Sequence, residues 1–299
     1  MSVRAIAVVG PTAAGKSDLG VELALRFGGE VINADAMQLY RGMDIGTAKL
    51  SVAERRGVPH HMLDVLDVTE TASVAAYQRQ TRELMAELIA SGVTPVLVGG
   101  SGLYIQAVLD ELEFPGTDPA VRSRLESDLA TLGSEALHAK LATLDPLAAT
   151  AILPSNGRRV VRALEVIELT DRPFSATMPK RGHPRFDTVQ IGIDRDVAEL
   201  DSRVDLRVDL MFSAGLVAEV QSLEPLGLRA GLTASRALGY QQTLAYLDGS
   251  CDLATAAADT ARATRRFVRR QRSWFRRDQR ITWFDGARPD LFEAVCASL

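Results

Sequence analysis

The distribution of apolar and polar positions divides this chain into strand-like and helix-like blocks. Val3 to Val9 is a short run dominated by apolar residues and reads as a buried strand. Asp18 to Leu25 then places its apolar residues at helical spacing. Glu30 to Asp35 is a second short strand that ends in a carboxylate. Ala36 to Lys49 is too polar and too interrupted by glycine for a core element, yet it carries Gln38, Tyr40, Arg41, Asp44, Thr47 and Lys49. Ser73 to Ser91 has apolar residues at 74, 77, 84, 85, 88 and 89, the pattern of a helix, and Gly92 stops it. Pro95 to Val98 reads as a third buried strand and runs into Gly99-Gly100-Ser101-Gly102-Leu103-Tyr104.

From Phe114 to about Asp187 the texture shifts to alanine, leucine and arginine at helical spacing. Asp118-Pro119 opens one helix, Ser134 or Glu135 another, and Asn156 to Leu169 a third; Arg172-Pro173 and Pro179 to Pro184 break the chain. Thr188 to Asp194 alternates like a strand returning to the sheet. Charged helices follow through Leu200 to Leu223, with a turn at Gly239-Tyr240 and a last short strand at Ile281 to Phe284. The pattern predicts an α/β fold. Its parallel sheet core, P-loop NTPase-like by the glycine-bracketed segment Gly10–Ser17 between the first strand and the first helix, spans 1–114 and 187–299 and ends in a helical part, and 115–186 forms an all-helical insertion domain.

Composition narrows the class. At 299 residues, 46% hydrophobic and 24% charged, the chain suits a well-cored protein of one or two domains. No apolar run approaches the ~18–20 residues of a membrane span, and the first strand starts too early for a signal peptide. Cys251 and Cys296 exclude a disulfide framework and a cysteine-rich zinc module, and they fit a cytoplasmic location. The net charge of −4 argues against nucleic acid on average. Arg262 to Arg280 reverses that argument locally, with nine arginines against one acid, Asp278, and with Phe267, Trp274 and Phe275 interleaved. Such a stripe suits a polyanion with bases to stack on; the competing reading is a solvated amphipathic helix.

The candidate chemistry starts at Gly10-Pro11-Thr12-Ala13-Ala14-Gly15-Lys16-Ser17. Strand, glycine-bracketed loop and helix are the context a P-loop requires. The glycines let successive amides face one anion, the helix adds its positive end, Lys16 a full charge, and the Ser17 hydroxyl a ligand for Mg²⁺. This predicts a bound di- or triphosphate without saying which. Asp35 falls where a parallel sheet points its strand ends at the ligand, though an Asp there is equally read as capping the next turn. Where a P-loop ATPase or GTPase commonly has a Walker-B Asp, the third strand ends instead in glycines and Ser101. His60-His61 lacks a third ligand for zinc, and a hydrogen-bonded structural role for one of them is expected. Arg122, Arg124, Arg158, Arg159 and Arg162 are read either as solvated helix faces or as phosphate contacts.

Several motifs together resemble one family, the bacterial tRNA dimethylallyltransferases, over nearly the whole chain. They are GPTAAGKS at 10–17, Asp35-Ala-Met-Gln38-Leu-Tyr40, DIGTAK at 44–49, PHH at 59–61, GGSGLY at 99–104, RALE at 162–165, ALGYQ at 237–241 and RRFVRRQRSWFRRD at 265–278. Two departures stand out: the family's Asp-Ser-x-Gln reads Asp-Ala-Met-Gln, and its Gly-Gly-Thr reads Gly99-Gly100-Ser101. The resemblance implies transfer of a dimethylallyl group from dimethylallyl diphosphate to N6 of the adenosine 3′ of the anticodon. Residues 10–17 would hold the diphosphate with Mg²⁺ at Ser17. Asp35 would act as base, Lys16 would stabilise the leaving group, and Ser101 would orient the amine or the bridging oxygen. The tRNA anticodon stem-loop would contact Asp35, Ala36, Met37, Gln38 and Ser101, then Arg122, Arg159 and Arg162. On the arginine-rich helix it would meet Arg265, Arg269, Arg270, Gln271 and Trp274. A monomer with no membrane partner is expected. Three competing readings are a P-loop kinase of a small metabolite, a prenyltransferase of free adenine nucleotide, and a non-catalytic RNA-binding protein.

Overall fold

Period-two alternation seats the central strand, β1 (Ala5–Val9): Ile6 and Val8 enter one hydrophobic layer, Ala5, Ala7 and Val9 the other, and all five are buried. The computed structural model describes residues 4–177 and 184–299. They form two compact units, Met1–Leu109 with Pro184–Leu299, and Asp110–His183. In the first unit β1 is followed by α1 (Lys16–Phe27), β2 (Gly29–Asn33), β3 (His60–His61), α2 (Val74–Ala90), β4 (Thr94–Gly99) and α3 (Gly102–Leu109). The second unit holds α4 (Pro119–Leu132), α5 (Ser134–Leu144), α6 (Pro146–Ala151) and α7 (Gly157–Thr170). The chain returns to the first with β5 (Thr188–Asp194), α8 (Val197–Ser213), α9 (Leu216–Leu223), α10 (Tyr240–Leu247), α11 (Leu253–Phe275), β6 (Ile281–Asp285) and α12 (Leu291–Cys296).

The strands form one parallel sheet in the order β3-β2-β4-β1-β5-β6. Helices α1, α8, α11 and α12 contribute to the core on one face, α2 and α3 to the core on the other. A third cluster gathers Tyr40 and Met43 with α9, α10 and the turns between them. This layering brings the carboxyl ends of β1, β2 and β4 to one edge, where α/β sheets place ligands.

Two short elements escape the sequence pattern. The histidine pair forms β3, bonded to Val31 and Ile32 of β2, so Pro95 to Val98 belongs to the fourth strand and not the third. Two residues are too few to show alternation. Both histidines are engaged: His60 Nδ1 lies 2.8 Å from Val58 O and His61 Nε2 2.6 Å from Glu30. Helix α6 is six residues long and equally aperiodic; its start is marked by Asp145, whose side chain accepts from Ala148 N, ahead of Pro146. Val3, and all but Pro184 of the expected break from Pro179 to Pro184, lie outside the described residues.

The second unit packs α4 to α7 around Leu125, Leu141, Val160 and Leu164. Glu165 sits fully buried on α7, where it pairs with Arg122 and, at 2.7 Å, Arg162, and accepts from Asp118 N. Burial opposes its charge, but the two guanidinium groups hold its carboxyl below the ordinary range. Arg162 also donates to Gly116 O and Pro115 O. Arg122 and Arg162, expected at RNA, are therefore committed inside this unit. Arg159 is exposed.

Candidate active site

The loop after β1 is pressed against the neighbouring strand. Gly10 has φ 140°, and a Cβ there would stand 2.1 Å from Ile193 O, so no side chain fits. Residues beyond it are held from outside. Arg203 Nε donates to Ala13 O at 2.7 Å, Arg195 Nε to Ala14 O at 3.1 Å, and Thr12 N to Gln271 Oε1 at 2.8 Å. Helix α1 opens at Lys16 with no side-chain cap, which leaves its first-turn amides available to an anion. Lys16 Nζ donates to Pro11 O at 2.7 Å. Burial pushes the Lys16 pKa down to about 8, helped by the like charge of Arg207 and opposed by Asp35.

Asp35 lies two residues past the end of β2. Asn33 Oδ1 accepts from Asp35 N at 2.9 Å, and Asn33 Nδ2 donates to Asp35 O and Met62 O, so the buried Asn33 sets the turn. Asp35 Oδ1 accepts from Met37 N at 2.9 Å. Enclosure by protein raises the Asp35 pKa, with its hydrogen bonds and Lys16 working the other way. Ser101 joins the same segment, since its Oγ accepts from Ala36 N at 3.1 Å and its N–H donates to Ala34 O at 3.2 Å. The two readings of Asp35 are thus combined in one residue: one oxygen caps the turn while the carboxylate stands at a cavity wall.

Two cavities meet at that carboxylate. A polar one of about 380 Å³ is lined by Gly15, Lys16, Ser17, Asp18, Gly99, Gly100 and Arg203 among others. A second, of about 390 Å³, has apolar walls from Val204, Val208, Met211, Ala237, Leu238 and Phe267. Thr12, Asp35, Thr47, Ala48 and Arg207 line both. Thr47 and Ala48 belong to a turn that Glu219 grips, accepting from Asp44 N, Ile45 N and Gly46 N at 3.1, 2.7 and 3.2 Å and from Tyr240 Oη. Arg207 sits at the junction with its charged state disfavoured by burial. Among the described residues no group of His, Cys, Asp and Glu is arranged to hold a metal by itself.

The arginine-rich stripe falls on α11 and the turn that follows it, and is less free than its composition suggests. Asp201 and Asp205 on α8 bind Arg269 and Arg265, and Asp194 at the end of β5 binds Arg272 and Arg276. Gln271, expected at RNA, is buried: it receives Thr12 N and donates to Gly100 O at 2.9 Å, tying the β1 loop to the β4 loop. Arg270 and Phe267 line the apolar cavity, and Trp274 packs against Gly102 with part of its ring exposed.

The IPP transferase family model matches residues 38–278. The chain belongs to the IPP transferase family. As a member of that family it is 68% identical over 296 residues to a tRNA dimethylallyltransferase of Saccharopolyspora erythraea, covering 99% of this chain and 96% of that one. It is 65% identical to one of Streptomyces coelicolor, covering 97% and 93%. Among solved structures it resembles a tRNA isopentenylpyrophosphate transferase of Bacillus halodurans (40% identity, TM-score 0.72, 98% and 96% covered). It also resembles a eukaryotic dimethylallyltransferase acting on tRNA (26%, TM-score 0.85, 99% and 78%). The family match begins at Gln38, after the Gly10–Ser17 loop and Asp35, but both lie within the span shared with the relatives.

In this IPP transferase the structure brings together Thr12, Ala13, residues 15–18, 35–38 and 99–101, Phe267 and Arg270 around the joined cavities, while Gly10, Pro11 and Ala14 of the expected diphosphate loop are not on their walls. Sequence reasoning missed Arg203 and Arg207 on α8, Arg195, Arg236 and Glu219. A signal was present for the first two: four residues apart, they share one helix face, and α8 pairs them with buried Leu200, Val204 and Val208.

Proposed function

We propose that this chain transfers a dimethylallyl group from dimethylallyl diphosphate to N6 of the adenosine 3′-adjacent to the anticodon of tRNA, releasing pyrophosphate. The observation that carries the reading is the junction itself: an apolar chamber and a cationic chamber share the wall that holds Asp35. A phosphoryl-transfer enzyme needs the cationic chamber; an apolar one beside the base fits an alkyl donor. The names of the similar proteins support tRNA as the acceptor.

In this reading the α1 first turn, Lys16, Arg203 and Arg207 bind the diphosphate, and the apolar walls hold the dimethylallyl group and the adenine. The N6–C1 bond forms as the C1–O bond to diphosphate breaks, and the N6 proton passes to the Asp35 carboxylate. A pKa raised by enclosure makes Asp35 a stronger base than a solvated Asp. Charge building on the leaving oxygen meets Lys16 and the loop amides, which stand in place before reaction. Ser101 Oγ accepts from Ala36 N, and a hydroxyl that accepts there can still donate its proton to substrate. The donor set fits Mg²⁺ held chiefly by substrate oxygens: the Ser17 hydroxyl and Asp18 line the cationic chamber, and the ion would supply countercharge to the diphosphate. Extruding the base from the anticodon stack costs a few kcal/mol, offset by contacts to the flanking backbone.

The test is incorporation of a labelled dimethylallyl group into tRNA, with AMP as alternative acceptor and ATP hydrolysis as control. Transfer to tRNA without ADP release is expected, and Asp35→Asn should lower kcat by ~10²-fold or more while tRNA affinity stays near wild type. ADP release, or labelling of AMP in preference to tRNA, would overturn the assignment. An unchanged kcat in the variant would remove Asp35 as base.

A further inference from the structure

Most cations of the arginine-rich stretch are already neutralised within the protein, and one of those without an acid partner among the described residues, Arg270, lines the apolar cavity. Arg262 pairs with Asp259, Arg265 with Asp205, Arg269 with Asp201 through two bonds of 2.7 and 2.6 Å, Arg272 and Arg276 with Asp194, and Arg280 with Asp278. Arg266 and Arg270 are exposed and pair with no acid among the described residues. Spaced i,i+4, they share one face of α11. Arg270 lines the apolar cavity, its guanidinium 5.6 Å from the centroid of Phe267. From a different element, the turn Ala234–Arg236, Arg236 lines the same cavity, exposed and equally without an acid partner among the described residues.

We propose that Arg236 and Arg270 bind the backbone phosphates on either side of the nucleotide whose base enters the apolar cavity, with Arg266 one turn back along α11 extending the track, and that the acid-paired arginines add nothing to RNA affinity. This rests on the assignment of tRNA as acceptor. A nucleotide with its base in the cavity leaves its two phosphates at the opening, where cations from two separate elements stand. An unpaired guanidinium gains a charge-assisted fork to phosphate without giving up an acid partner. An arginine held bidentately by Asp201 exchanges one such fork for another and strands the carboxylate beside a polyanion. The distinction between the two sets is therefore in their partners, and it cannot be read from composition.

Each phosphate neutralised releases counterions, so the slope of log K against log[salt] measures how many arginines make contact. Filter binding of unmodified tRNA across several salt concentrations is compared for wild type, Arg236→Gln, Arg270→Gln and Arg266→Gln, with Arg262→Gln and Arg276→Gln as paired controls. The slope should shrink by roughly 0.7 to 0.9 for each of Arg236→Gln, Arg270→Gln and Arg266→Gln, and stay at the wild-type value for both controls. Arg270→Lys should restore the slope, because charge alone sets it. KM for tRNA should rise about tenfold in Arg236→Gln and Arg270→Gln while KM for dimethylallyl diphosphate stays constant. Wild-type slopes in both variants, or equal losses in the controls, would overturn the proposal. Wild type that transfers no label to tRNA would instead refute the acceptor assignment, so the two failures are told apart.

Discussion

Diphosphate binding should draw a proton onto Lys16. In the free protein burial, then Arg207, hold that amine down from 10.5 to about 8, a drop worth about 3 kcal/mol in the free energy of its charged form. A diphosphate in the cationic chamber brings several negative charges to it and returns its pKa toward the ordinary range. Because the free-state pKa is depressed, the amine is charged below it and neutral above it. Binding therefore takes up about a tenth of a proton at pH 7, half at pH 8 and nine-tenths at pH 9. Titration calorimetry with dimethylallyl diphosphate, in two buffers of different ionisation enthalpy and at fixed magnesium, reads the uptake directly. Protonation of the ligand itself is removed by subtracting Lys16→Arg, whose guanidinium stays charged throughout. The same titration predicts that kcat/KM for the diphosphate falls above pH about 8 in wild type and not in Lys16→Arg, since that ratio reports the free enzyme. An uptake at pH 8 identical in wild type and Lys16→Arg would refute the electrostatic account of the loop.

Two further outcomes test the framework around the cavities. Gln271→Met leaves Thr12 N and Gly100 O without their partner, and each buried group so orphaned costs ~1–3 kcal/mol; urea denaturation should show that loss, and dimethylallyl diphosphate should bind more weakly because the loop is no longer fastened to β4. Unaltered stability and affinity would mean that Gln271 holds nothing. Gly46→Ala would set a Cβ 2.4 Å from the Tyr240 ring and 2.9 Å from Leu216, so ~1–3 kcal/mol of stability should be lost, or the 44–48 turn displaced with a raised KM for both substrates. A variant with wild-type stability and kinetics would show that the turn yields without consequence.

The sequence by itself determined what depends on neighbours along the chain. The apolar run at Ala5–Val9, alternation in Thr188–Asp194, helical spacing in 74–89, the caps at Ser73, Asp118 and Asn156, and the glycines bracketing the first loop are local patterns, and the structure forms each element there. The loop, Asp35 and Ser101 were legible for the same reason: in a parallel sheet, successive strands end on one edge, so topology converts separate motifs into one site. Elements of two and six residues, β3 and α6, carried too few positions to show a period. Everything that depends on partners from distant segments was decided by tertiary structure. Charge is a property of residues, but its availability is a property of pairs: Asp201 and Asp205, four residues apart on α8, neutralise Arg269 and Arg265 from more than fifty positions away. Gln271 lies amid the most basic stretch of the chain and is nevertheless a core residue, because the helix turns that side chain toward the loops of β1 and β4. Arg207 and Arg236, unremarkable in the sequence, become site residues because packing leaves them on cavity walls with no ion pair to an acid among the described residues.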